Sequence, residues 1–417
     1  MAERFRIGLP EIAFPFIPPA DKFLEYTGIP GGIAGVINAL GANVDQPLPD
    51  PKTIRRAVKE GVLPRSAKKI KDALESVLST EMRDYITSSH LAPWVETTLH
   101  HNGLAWLCIV KGHHLRIFQA DQPETFTERF IKRRAEQEIQ ILEAGLEIQK
   151  SSTTTAVFEG RWWETLNDFL PRFTGVDAAY IEQGLQAVAA LKSNTDQSRH
   201  NQVGQLLGLY TRLRIDFYYQ LLCSVSLDLI CWLKEEDTIG SQEIHWLIEN
   251  SIFGDMVPTF DGTNLTLPFE RLLDTWRQGA EADGKDLSWA KIAEHLPDPY
   301  GLDANTSRAR DQTVEARAAA IRKNKKSRLR EWRSGTRPNP DQLKQFIRNL
   351  VQDDKDVSLA TMRAEVASTW GAFLLDEVAV FEKYRLFNAL HETLPAFECF
   401  PTYWADCQSQ AAQILAA

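Results

Sequence analysis

Cysteine is scarce in this chain of 417 residues, which contains five, and no two of them form a Cys-x-x-Cys pair. Their positions also lack the spacing of a disulfide framework. The core of a secretory signal is absent as well, because the first twenty residues carry charges and four prolines. These absences predict a protein of the reducing cytoplasm.

Long apolar runs are rare too. The longest extends from Phe217 to Leu233 and is interrupted by Gln220 and Asp228. It lies at the short limit for a membrane span, so we interpret it as a buried core helix. No membrane partner is expected.

Several motifs of common enzymes and nucleotide-binding proteins are missing: a Gly-rich Walker loop, His-Glu-x-x-His and Gly-x-Ser-x-Gly. The pairs His100-His101 and His113-His114 have no carboxylate or cysteine beside them at metal-ligand spacing. Adjacent residues on a strand point to opposite faces, so only one histidine of each pair can face a shared site. We interpret both pairs as polar hairpin residues and predict neither a metal nor a cofactor.

Basic residues are present and unevenly distributed. The segment from Arg308 to Arg337 has a net charge of +8, and the segment from Pro51 to Lys71 has +7. The whole chain carries −9, which leaves −24 on the remainder. Two basic segments on an acidic body are typical of a protein that attracts a polyanion at chosen sites. Two solvated helix faces are the alternative.

Helical periodicity dominates the sequence from Pro123 onwards, so the fold class is mainly α and multi-domain. A small β unit is predicted from Trp94 to Ala120, because short apolar runs flank the hairpin signal Asn102-Gly103. A loop rich in Gly, Asp and Pro is predicted from Phe253 to Leu267, with a domain boundary nearby. The predicted parts are an N-terminal arm with a helix-turn-helix-like domain (1–90), the β unit (91–121), a central helical domain (122–255), a connector (256–303), a second helix-turn-helix-like segment (304–352) and C-terminal helices (353–417).

The first basic segment contains a short helix that begins after Asp50, a residue suited to capping, with Pro51 at the first helical position. This segment resembles the DNA-binding helix-turn-helix of phage-repressor-like regulators, although the loop before Lys52 is longer than the usual turn. The matching positions are Thr53, Ile54, Arg55, Arg56, Gly61 and Pro64. The resemblance implies that Lys52, Arg55, Arg56 and Lys59 contact DNA.

The second basic segment resembles the same family over its recognition helix and exit turn, through Ser327, Leu329, Trp332, Gly335 and Pro338. Here a turn is predicted at Lys323 to Lys325, with Ser327 capping the short helix that follows and Pro340 starting the next one. The indole of Trp332 is expected on the inner face of that short helix. The rival structure is one uninterrupted helix from Arg308 to Arg333. The residues predicted to contact DNA are Lys325, Lys326, Arg328, Arg330, Arg333 and Arg337.

A different class is suggested by Arg385 and His391, which lie six residues apart near the end of a predicted helix. The spacing resembles the Arg-x(4–6)-His signature of HEPN ribonucleases, although Leu386 stands where that family usually has a polar residue. The resemblance implies that Arg385 stabilises charge on an RNA phosphate and that His391 transfers a proton.

The sequence therefore predicts a non-enzymatic protein that binds duplex DNA, as a regulator or as an adaptor in a DNA-processing assembly. The central and C-terminal helices are expected to supply contacts to a second copy of the chain or to a larger protein assembly. A HEPN-like ribonuclease and a helical protein-interaction scaffold remain as alternatives.

Overall fold

The computed structural model describes residues 124–190, 196–235, 241–282, 284, 287–298, 314–351 and 354–416, and the isolated positions 17, 18, 50, 52, 53, 65, 66, 68, 69, 72 and 106. The chain divides into two compact units, Met1–Leu229 and Ile230–Ala417. This division differs from the six parts predicted above. The described residues are mainly helical and include one small antiparallel sheet, which confirms the predicted fold class.

The described helices of the first unit are α1 (Phe126–Ser151), α2 (Thr155–Phe173), α3 (Ala178–Ala190) and α4 (Asp196–Glu235), which continues past the unit boundary. A capping box starts α1: the Thr125 hydroxyl accepts from the Glu128 N–H at 3.1 Å, and the Glu128 carboxylate accepts from the Thr125 N–H at 2.9 Å. The Asp228 carboxylate accepts from two further N–H groups of that first turn, at 2.7 and 2.9 Å. These bonds fix the start of α1 against α4.

The core of the first unit includes the segment that the sequence predicts to be a buried helix. Phe217 and Leu221 of α4 are buried, and the Phe217 ring lies 5.2 Å from both Trp106 and Phe130. The prediction of a core helix is confirmed there. Among the helices that the structure describes, none has the length and apolar character needed to cross a membrane.

The described part of the second unit contains α-helices, two 3-10 turns and a two-stranded sheet. Its helices are α5 (Ser241–Asn250), α6 (Pro268–Ala282), α7 (Trp289–Glu294), α8 (Val314–Arg333), α9 (Pro340–Leu350), α10 (Asp354–Lys383), α11 (Phe387–Thr393) and α12 (Phe400–Ala416). Two 3-10 turns, Gly254–Met256 and Leu394–Glu398, and the strands β1 (Thr259–Phe260) and β2 (Leu265–Thr266) complete it.

The described sheet is a hairpin within the segment predicted to be a loop. Thr259 pairs with Thr266 across antiparallel strands, and the Asp261 carboxylate accepts from the N–H groups of Thr263 and Asn264 at 2.8 and 2.7 Å. Aspartate commonly closes a turn in this way. The strands were not predicted because two residues are too few to show an alternating pattern in the sequence.

The β unit predicted from Trp94 to Ala120 lies outside the described residues except at Trp106. That residue is helical and fully buried, and its indole N–H donates to the Pro18 carbonyl at 2.8 Å. The strand prediction is therefore wrong at Trp106. Its apolar neighbours are compatible with either structure, because a short apolar run does not distinguish a strand from a buried helix.

The core of the second unit is built around α10, which packs against α6 and α9, while α5 packs against α12. Trp370 of α10 is buried and lies edge to face with Phe400 at 5.6 Å. The indole N–H of Trp404 on α12 donates to the Ile248 carbonyl at 2.9 Å. The helices α7 and α8 pack against each other, and α8 also contacts α6.

Candidate nucleic-acid interface

The helix α8 is continuous from Val314 to Arg333. The turn predicted at Lys323 to Lys325 is wrong, and the rival uninterrupted helix is confirmed over the described residues. Asn324 is able to adopt a left-handed conformation but does not require one, and no glycine or proline interrupts the helix. Ser327 lies inside the helix with an exposed side chain, so it is not a cap.

The end of α8 follows the prediction. Gly335 has φ +94°, its N–H donates to the Trp332 carbonyl at 3.1 Å, and the N–H of Thr336 donates to the Glu331 carbonyl at 2.9 Å. This is the Schellman arrangement. It favours glycine at this position, because glycine adopts the left-handed conformation without strain. A side chain at Gly335 would also meet Leu267 and Leu375.

After this turn α9 begins at Pro340, as predicted. The Asn339 side-chain oxygen caps it by accepting from the N–H groups of Asp341 and Gln342, at 2.9 and 3.3 Å. Pro340 fits because the first helical N–H has no partner within the helix. The segment therefore forms helix, Gly-x-x-Pro turn and helix, as the sequence predicts, without the earlier turn.

The inner face of α8 packs onto the unit through Leu329 and Trp332, which are 3% and 2% exposed. The Trp332 ring lies edge to face with Phe269 of α6, at 6.2 Å between centroids, and with Phe346 of α9, at 5.7 Å. The predicted position of Trp332 is confirmed. This anchor leaves the opposite face of α8 in solvent.

That outer surface carries Arg322, Lys323, Lys326 and Arg330, which we call the cationic face. All four are exposed, and none of their side chains makes a hydrogen bond or ion pair with the described part of the chain. Arg322, Lys326 and Arg330 recur every four residues, so they follow one side of the helix over about 12 Å. The cationic face is therefore available to a polyanion.

Arg322 and Lys323 were not among the predicted contacts, because the predicted turn placed them before the recognition helix. The signal that would have identified them is the four-residue repeat from Arg322 to Arg330, which is meaningful only if the helix is continuous. Lys326 and Arg330 were predicted as contacts, and the structure places both on the cationic face.

Two other predicted contacts have partners inside the protein. The Lys325 ammonium donates to the Glu294 carbonyl at 3.1 Å, at the C-terminal end of α7. Arg328 forms an ion pair with Glu331, one turn along the helix, at 3.2 Å, and its side chain is 29% exposed. The Glu331 carboxylate partly neutralises Arg328, and the Lys325 ammonium is directed towards α7, so both contribute less than the cationic face to an outer surface.

Arg333 is held more tightly. Its guanidinium donates to the Glu270 carboxylate of α6 through Nε at 3.1 Å and through a second nitrogen, and it lies 3.8 Å from the centre of the Trp289 ring of α7. Arg333 was predicted to contact DNA, which requires its side chain to face solvent, but that side chain is only 28% exposed. That expectation is corrected, because the hydrogen bonds and the ring face already occupy the guanidinium.

Arg337 lies beyond the helix and is also partly enclosed. Burial lowers the pKa of its guanidinium, and the neighbouring Glu365 carboxylate raises it. Burial likewise raises the pKa of Glu365, against the effects of Lys344 and Arg337. Arginine remains a cation throughout the physiological range, so Arg337 keeps its positive charge, which the nearby Glu365 carboxylate partly offsets.

Only part of the first basic segment is described. The Asp50 carboxylate accepts from the N–H groups of Lys52 and Thr53, at 3.0 and 3.1 Å, and from the Thr53 hydroxyl at 2.7 Å. The Thr53 hydroxyl, followed by the N–H bonds, lowers the pKa of Asp50. The predicted cap is confirmed, and Lys52 is exposed. The other predicted contacts lie outside the described residues: Arg55, Arg56 and Lys59.

The proposed ribonuclease pair is not on one helix. Arg385 lies in the turn between α10 and α11 with φ +56°, and its N–H donates to the Glu382 carbonyl at 3.0 Å. His391 is in α11, exposed, with its ring edge-on to Phe260 at 5.6 Å. The pair was predicted near the end of one helix, but the helix is interrupted at Arg385.

The second unit is thus a helical core that presents one continuous basic helix. In the parts of the chain that the structure covers, no three His, Cys, Asp or Glu side chains are grouped to hold a metal ion. Comparisons with protein-family models, with curated proteins and with solved structures find no match for this chain.

Proposed function

We propose that the protein binds duplex DNA without catalysing a reaction, as a regulator or as an adaptor in a DNA-processing assembly, and that the cationic face of α8 makes the main contact. The observation that carries this proposal is the presence of four exposed, unpaired cations on one side of a helix. Phosphate contacts by such residues supply most non-specific affinity for DNA.

The form of α8 favours duplex DNA over other polyanions. An α-helix with side chains is about 10–12 Å across, and the major groove is about 12 Å wide. Leu329 and Trp332 are buried and hold α8 in place, so a partner meets cations that project from a fixed helix. Exposed arginines can also donate hydrogen bonds to the two acceptor atoms on the major-groove edge of guanine.

The resemblance to phage-repressor-like regulators supports this function through the helix, Gly335 turn and following helix. The contact we propose is that of a continuous basic helix, since α8 has no turn at residues 323–325. We extend the proposal to Lys52, Arg55, Arg56 and Lys59 as a second contact segment. A cytoplasmic location agrees with the described cysteines, which are not joined in disulfides: Cys223, Cys231, Cys399 and Cys407.

The test is duplex binding by fluorescence anisotropy across a salt series. Replacing the cationic face residues Arg322, Lys323, Lys326 and Arg330 together by Ala should weaken binding and flatten the plot of log affinity against log salt. Each lost phosphate contact should reduce the slope by about 0.9. The variant should fold normally, because these side chains are exposed.

A matched control removes the same charge elsewhere. The control residues are exposed cations on α1 and α2, again two lysines and two arginines: Lys132, Arg133, Lys150 and Arg172. Three of them are paired, Lys132 with Glu124, Lys150 with Glu147 and Arg172 with Asp168, so the control removes the same formal charge from cations that are mostly paired. Their joint replacement by Ala should leave the salt slope unchanged. If the wild-type protein has no duplex affinity at low salt, or if both variants bind equally well, DNA binding through α8 is wrong and a protein-interaction scaffold is favoured.

A further inference from the structure

Arg333 occupies a position that, by helical spacing alone, belongs to the cationic face. It lies eleven residues after Arg322, close to three full turns, so the two side chains leave α8 in nearly the same direction. Their environments differ, because Arg322 is exposed and unpaired while Arg333 is bound to Glu270 and Trp289.

The contacts of Arg333 use both features of a guanidinium. Two of its nitrogens donate to one oxygen of Glu270, and its flat face covers the Trp289 ring at 3.8 Å. A lysine reproduces neither the planar fork nor the stacking. Arg277 of α6 lies 5.9 Å from the same ring and is itself held by Asp274 at 2.9 Å. The site is thus built from α6, α7 and α8.

A second tether shows how α7 and α8 are aligned. Lys325, in the middle of α8, donates to the carbonyl of Glu294 at the end of α7, whereas Arg333, at the end of α8, covers Trp289 at the start of α7. The two helices therefore run antiparallel, joined at both ends of α7. Losing the Arg333 end would remove the polar and stacking contacts that the C-terminal end of α8 makes with Glu270 and Trp289.

We infer that Arg333 is a positioning residue, which docks the C-terminal end of α8 on Glu270 and Trp289 and so fixes the direction in which the cationic face points, without contacting DNA itself. The effect on binding depends on the proposed DNA-binding function, whereas the docking itself does not. Glu270 gives the decisive variant. Loss of an acidic residue ordinarily strengthens the binding of an anion, but loss of Glu270 should weaken it, because Arg333 would no longer be docked.

The experiment compares Arg333→Lys, Arg333→Ala, Glu270→Gln and the double variant Arg333→Ala with Glu270→Gln in duplex binding. If Arg333 positions α8, all four lose affinity by a similar factor, about five- to tenfold, and the double variant loses no more than a single one, since both act through one contact. The salt slope should change by less than the 0.9 or so of one phosphate contact.

Direct contact with DNA predicts the opposite pattern. Arg333→Lys keeps the charge and should bind nearly as well as the wild type, and Glu270→Gln removes a negative charge and should bind more tightly. That result overturns the inference.

Hydrogen exchange separates this inference from the proposed function. Amides of residues 325–333 should exchange faster in Arg333→Ala and in Glu270→Gln than in the wild type, with or without DNA. If the wild type binds no duplex, the proposed function is wrong. Hydrogen exchange then tests the docking role of Arg333 by itself. Unchanged exchange in both variants overturns the docking role.

Discussion

A lysine or arginine adds to the attraction of a polyanion only to the extent that its charge is not already paired within the protein. In and beyond α8, Lys325, Arg328 and Arg333 have partners, and Arg337 is partly buried. The residues of the cationic face have no partner in the described part of the chain. A local net charge of +8 therefore overstates the charge that a ligand meets, and burial and pairing decide which residues matter.

Trp332 is the residue on which the presentation of α8 most depends. Its ring is 2% exposed and lies between Phe269 and Phe346, so Trp332→Ala removes contacts with both α6 and α9. We expect the free energy of unfolding to fall by about 3–5 kcal/mol, the usual cost of a large-to-small change in a core. Chemical denaturation measures it.

The control is Trp246 on α5, which is 42% exposed. Trp246→Ala should change the free energy of unfolding by no more than about 1 kcal/mol, because exposed substitutions have small effects. Equal losses in the two variants would contradict the anchoring role of Trp332.

Among the elements, those whose boundaries depend on local chemistry were predictable from sequence. Gly335 ends α8 because a left-handed residue is needed there, and Asn339 with Pro340 starts α9. The continuity of α8 was not predictable, because Asn324 is compatible with a turn or a helix and only tertiary packing decides. The partners of Arg333 were also hidden, since Glu270 and Trp289 are 63 and 44 residues away in the sequence.

The continuity of α8 makes a prediction about Asn324. In a helix, Asn324→Ala should raise the free energy of unfolding by about 0.5 kcal/mol, and Asn324→Gly should lower it by a few tenths of a kcal/mol, following intrinsic helix propensities. In a left-handed turn the order reverses, because glycine is favoured there and alanine is strained. Thermal denaturation of the two variants measures this order. Greater stability of the glycine variant would contradict a continuous helix at this position.

For the whole molecule, the property that matters for binding a polyanion is the distribution of charge. Positive charge is concentrated in two segments, and the rest of the chain has a negative net charge. Outside the two basic segments the chain carries a net charge of −24, so the remainder of the chain as a whole repels a polyanion. A helical core that exposes one basic helix combines attraction at a chosen site with repulsion elsewhere. Such a distribution should make binding dependent on few residues and strongly dependent on salt.

This distribution leads to a prediction for the two segments together. Removing the cationic face by Ala substitutions removes four positive charges, and replacing Lys52, Arg55, Arg56 and Lys59 by Ala removes four more. Each four-residue variant should retain part of the duplex affinity, with a reduced salt slope. The combined variant should lose most of its duplex affinity even at low salt, because its net charge falls from −9 to −17 and the two segments keep only +3 and +4.

Anisotropy with one labelled duplex, over a salt series for all three variants and the wild type, measures both affinity and slope. Circular dichroism of each variant confirms that helix content is unchanged, so that a loss of affinity reflects lost contacts. Retention of full affinity by the variant at residues 52–59 would remove that segment from the interface and leave α8 as the site. Retention of affinity by the combined variant would show that DNA binding does not depend on these eight residues, and would contradict the proposed contacts.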